Sequence, residues 1–93
     1  MKPELKQILK IVAMEAVYVL PRWVLIDATS YVNESKGMFA EVFQAWSWLK
    51  EEGFFYGLQK DSTLVISEST NENNPVFVLM RKEQIVLVGD SST

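Results

Sequence analysis

The chain of 93 residues contains no cysteine and no histidine. These two absences exclude disulfide scaffolds, thiolate nucleophiles, zinc sites of the usual ligand set and imidazole acid–base catalysis. No GxxxxGK[ST], GxGxxG or GxSxG run occurs, so the glycine-rich phosphate cradles and the nucleophile elbow have no counterpart either. Long apolar runs are missing too. The segment ILKIVAMEAVYVLPRWVLI is interrupted by Lys10, Glu15 and Arg22 and broken by Pro21, well short of the roughly 18 uninterrupted residues of a membrane span. The same charges argue against a signal peptide, and the expectation is a cytoplasmic protein.

What remains is ample for folding. The chain is 48% hydrophobic and 12% aromatic, enough apolar material to offset the entropy of ordering a single domain over residues 1–93. Net charge is −3 and the pI about 4.9, so the whole molecule repels nucleic acid and offers no general electrostatic attraction to anionic membranes. The charge is uneven: residues 1–22 carry Lys2, Lys6, Lys10 and Arg22 against Glu4 and Glu15, while 61–80 carry Asp61, Glu68 and Glu72 with no base.

Pro3 suits the first position of a helix and Glu4 complements its positive end. Leu5, Ile8, Leu9, Val12, Ala16, Val19 and Leu20 cover one side, with Lys6, Gln7 and Lys10 opposite, which predicts helix to about Glu15. Beyond it Met14 and Val17 fall on the polar side, so the later turns are either buried all round or not helical. Residues 22–33 carry an i+4 ladder of Leu20, Val24, Ala28 and Val32, and helix is the preferred reading, although Trp23 to Ile26 would equally serve as a short buried strand. The polar run from Asn33 to Gly37 is a turn able to cap the next helix through Asn33 or Ser35.

That next helix is the most informative segment. From Phe39 to Gly53, the residues Phe39, Val42, Phe43 and Leu49 lie within about 60° of Trp46 on a helical wheel, forming one apolar stripe. Trp48 points the other way, among Glu41, Gln44, Glu51 and Glu52. Such a tryptophan is either an interface anchor or core packed beneath the C-terminal hairpin. Gly53 is a natural helix stop. After it the period shifts towards two: strands are expected at 54–58 and 64–66, and again at 76–80 and 85–88, giving two hairpins. The second hairpin is apolar on both faces, so one face calls for the helices and the other for a further cover, such as a second copy of the chain. The predicted fold class is α+β, two or three N-terminal helices followed by a four-stranded antiparallel meander.

Helix, helix, turn, longer helix and hairpin is an order that resembles the winged helix-turn-helix superfamily over residues 25–67. Ala28 stands where the second helix has its small residue, Val42, Trp46 and Leu49 match the inward positions of the third helix, and Gly53, Phe54 and Phe55 match the opening of the wing. Lys60 and Asp61 would sit at its tip. The resemblance implies either DNA binding or protein docking by the third helix. For DNA the available bases are Lys6, Lys10, Lys36 and Lys60, together with Lys2. The spacing from Ala28 to Val42 is longer than the compact turn of the family, and the outward face carries Glu41, Glu51 and Glu52, which would repel phosphates. A protein partner or self-association through the 76–88 hairpin fits that face better, with Trp48, Gln44, Glu41, Glu51 and Glu52 as contact residues. No catalytic set, metal site or cofactor motif emerges, and the expectation is a non-catalytic adaptor, inhibitor or homodimeric regulator.

Overall fold

The computed structural model describes residues 1–55, 62–69 and 73–82 and shows an α+β domain. In chain order its elements are α1 (Pro3–Glu15), β1 (Val17–Pro21), α2 (Arg22–Asp27), α3 (Lys36–Glu51), β2 (Thr63–Ser69) and β3 (Val76–Lys82). The three strands form one antiparallel sheet in the order β1-β3-β2.

α1 begins with Pro3 in the first turn, as the missing N–H there predicts, and buries Leu5, Ile8, Leu9 and Val12. It ends on Ala16, whose φ of 73° is left-handed, with the Ala16 N–H bonded to the Val12 carbonyl. This reversal sends the chain at once into β1, and the Ala16 carbonyl accepts the Arg81 N–H at 2.9 Å. The open question beyond Glu15 is therefore answered by a strand: Val17 and Val19, stiff at χ1, alternate with Tyr18 and Leu20 on the two faces.

α2 is shorter than the helix expected over 22–33, because its last turn is taken over by side chains. The Thr29 hydroxyl donates to the Ile26 carbonyl at 2.7 Å and accepts the Tyr31 N–H at 3.2 Å. The Ser30 N–H is bonded not to a helical carbonyl but to the Glu41 carboxylate. Such local side-chain bonds compete with the helical ladder and stop it. α3 then starts on Ser35, whose hydroxyl accepts the Met38 N–H at 3.1 Å. It stops on a Schellman motif: Gly53, at φ 77°, donates to the Lys50 carbonyl and Phe54 to the Leu49 carbonyl.

The core lies between the helices and the inner sheet face. Leu5, Leu9, Val12, Leu25, Met38, Val42, Leu49, Phe77 and Leu79 are fully buried, and Phe39 meets the Phe77 ring edge-on at 5.7 Å. Trp46 packs on Phe55 at 4.7 Å and donates its Nε1–H to the Ser62 carbonyl at 3.5 Å. Phe43, expected on the inward stripe, is instead 40% exposed, in keeping with its place at the rim of the apolar arc on the wheel.

Part of the predicted meander is present: β2 pairs with β3, in a register from Thr63↔Lys82 to Ser69↔Val76. The other edge of β3 is taken by β1, a strand that the sequence left undecided between buried helix and non-helix. Phe54 and Phe55 belong to the turn after α3, where Phe55 is buried against Trp46, and the remainder of the expected strand at 56–58 lies outside the described residues, as does that at 85–88. β3 is central, with both edges paired. Among the described residues no helix is long and apolar enough to cross a membrane.

Candidate functional site

The outer face of α3 forms one wall of an open groove of about 870 Å³, lined by Met1, Lys2, Pro3, Ser30, Glu41, Gln44, Ala45 and Trp48. Two tethers build it. Lys2 Nζ donates to the Asp27 carbonyl at 3.1 Å, holding the start of α1 against the end of α2. Glu41 accepts the Ser30 N–H at 3.0 and 3.3 Å and the Ser30 hydroxyl, holding α3 to the turn after α2.

Trp48 is 48% exposed, against 3% for Trp46. One side of its ring rests on Phe54, centroids 5.6 Å apart at 30°. Phe54 is the second residue past the cap of α3, and an apolar contact from that position back to the last turn commonly accompanies a Schellman stop. Lys6 Nζ lies 4.0 Å from the Phe54 ring centroid, a cation–π contact that joins α1 to the same cluster. Trp48 is thus fixed by the helix stop while its other side faces the groove.

The residues expected to contact a partner fall into three groups. Gln44 and Trp48 line the groove, and Glu41 lines it with its carboxylate already bonded to Ser30. Glu51 and Glu52 close α3 and are exposed near Trp48, three and four positions along the helix. The bases do not converge. Lys6 is engaged by Phe54, Lys10 is exposed on α1, and Lys36 opens α3, roughly 18 Å along the axis from Trp48. Lys60 lies outside the described residues.

A second hollow, of about 390 Å³, was not anticipated. Its walls are Lys2, Trp23, Ile26, Asp27, Thr29, Ser30, Tyr31 and Val32; it therefore shares Lys2 and Ser30 with the groove. Trp23 is 69% exposed and Val32 87%. Tyr31 is seated over Gly37, where a Cβ would come within 2.5 Å of its hydroxyl. The signal for Trp23 was present in its spacing from Leu25: two helical positions are about 200°, so a buried Leu25 turns Trp23 outward. Reading this stretch as a short buried strand sets Trp23 and Leu25 on one face and conceals it.

Among the described residues, no three His, Cys, Asp or Glu side chains cluster as a metal site. No family model, characterised protein or solved structure matches the chain.

Proposed function

We propose that this chain is a winged-helix-like protein-docking module of the cytoplasm, non-catalytic, that receives a segment of another protein across the groove and the adjoining hollow. The observation that carries the reading is the exposure of Trp48 and Trp23, which line two hollows that share Lys2 and Ser30. A tryptophan half in water leaves about half of its large apolar area for a partner to cover, and tryptophan is enriched among interface hot spots. The succession α2, turn, α3 and β2–β3 hairpin supports the winged-helix resemblance, with α3 in the place of the third helix.

The surface favours an apolar segment bearing Lys or Arg. Glu51, Glu52 and Asp27 are exposed around it, whereas Lys2 and Lys6 are held by internal contacts. An arriving cation meets carboxylates on the rim and the free side of the Trp48 ring. Duplex DNA would meet the same carboxylates and release few counterions.

Selection of a displayed random peptide library on the wild-type protein, with Trp48→Ala as the counter-selected bait, tests this reading. Enrichment of basic, apolar peptides that bind wild type and lose at least tenfold in affinity on Trp48→Ala is expected. Enrichment indifferent to Trp48, or duplex binding whose affinity falls steeply with salt, would overturn it.

A further inference from the structure

β1 is an edge strand of unusual character. It pairs only with β3 among the described residues, and its sequence VYVLP carries no charge. Edge strands are ordinarily blunted with Lys, bulges or covering loops, since their unpaired backbone groups template a further strand. In β1 only Pro21 acts this way, and only at the end.

The hydrogen-bond parity of this edge follows from two contacts. Arg81 N–H donates to the Ala16 carbonyl and Arg22 N–H to the Pro75 carbonyl. With the register Val17↔Met80 to Pro21↔Val76, the even positions of β1 therefore turn their backbone groups towards β3. Val17 and Val19 turn theirs outward. Their side chains are also exposed, at 45% and 55%, on the outer sheet face. There Val17 lies opposite Met80 and Val19 opposite Val78.

We infer that β1 is the site of self-association, pairing antiparallel with β1 of a second copy about a two-fold axis at Tyr18. In this arrangement Val17 of each copy forms a complete hydrogen-bonded pair with Val19 of the other, and the sheet runs on as β2-β3-β1-β1-β3-β2. A register centred on Val19 would set Val17 against Pro21, which has no N–H to return the bond. The Tyr18-centred register leaves no such gap. The occupant is a second copy because the edge is complementary to itself: the facing pairs are valine on valine, with no like charges opposed. A five-residue edge, roughly 17 Å long, buries less than the about 800 Å² per partner of a standard stable interface, so the dimer is concentration-dependent. The inference places self-association at the β1 edge, a surface distinct from the apolar face of the 76–88 hairpin, and is independent of the Trp48 surface.

Sedimentation equilibrium of the full chain from low micromolar to millimolar concentration tests it. Wild type is expected to dimerise reversibly. The pair V17K/V19K sets like charges opposite each other and should be monomeric throughout, with an unchanged far-UV spectrum and melting curve, since both side chains are exposed in the monomer. The pair V17K/V19E sets opposite charges across the same register and should restore the dimer. A wild type that stays monomeric, a V17K/V19K variant that still dimerises, or a V17K/V19E variant that stays monomeric while folded would overturn the inference.

Discussion

Trp48→Ala and Trp46→Ala, made separately, should differ in their effect on stability by a factor of two or more. A covered Trp side chain removes about 150–250 Å² from water. With Trp48 48% exposed, about 100 Å² rests on Phe54 and the helix, worth about 2.5 kcal/mol at 25 cal/mol per Å². Burial already present in the unfolded chain takes off roughly a quarter, and the better helix propensity of alanine returns about 0.5 kcal/mol. The expected loss is about 1.5 kcal/mol, a fall in Tm on the order of 10 °C for a domain of this size. Trp46, 3% exposed and bonded to the Ser62 carbonyl, should cost about 3–5 kcal/mol. Urea unfolding followed by far-UV circular dichroism measures both without depending on the lost fluorophore. A Trp48→Ala loss equal to that of Trp46→Ala would show that Trp48 is core, and a loss below about 0.5 kcal/mol would show that the Phe54 contact does not form.

Three further substitutions test the local arguments. Gly53→Ala meets no neighbouring atom but must adopt φ 77°, so it should cost about 1 kcal/mol in urea unfolding, all of it backbone strain. Ser62 is buried with its hydroxyl unpartnered, while its carbonyl serves Trp46 and Lys50; Ser62→Ala keeps the carbonyl, removes the desolvated hydroxyl and should leave stability unchanged or raise it by up to about 1 kcal/mol. Glu41→Ala releases the Ser30 N–H, and a loss of about 1–2 kcal/mol with faster amide exchange at Ser30 is expected.

Much of the helical half was legible because its signals are local. Pro3 marked the start of α1 by its missing N–H, while Ser35 caps α3 and Gly53 stops it through bonds about one turn away. The inward positions Val42, Trp46 and Leu49 followed from a period that needs no tertiary information. The pairing of β2 with β3 was legible too, because Leu64 and Ile66 alternate as a strand should and the next apolar run follows one polar loop later. What takes the other edge of β3 was not, because β1 comes from the far N-terminal part of the chain and is placed by long-range packing of Phe77 and Leu79 in the core. β1 was hidden by the apolar run that precedes it, and only the left-handed Ala16 separates helix from strand. At the site, the outward direction of Trp48 came from the wheel alone. The bond from Glu41 to Ser30 and the hollow beside Trp23 depend on how α2 ends, which a hydroxyl at Thr29 determines.

Hydroxyl-radical footprinting of the wild-type chain, read by mass spectrometry at each tryptophan, tests the docking surface most directly. In the free protein Trp23 and Trp48 should react readily and Trp46 scarcely at all. A selected basic, apolar peptide should protect Trp48, whereas a duplex DNA at low salt should leave it unchanged. Protection of Trp48 in the free monomer, or its protection by duplex and not by peptide, would contradict the account.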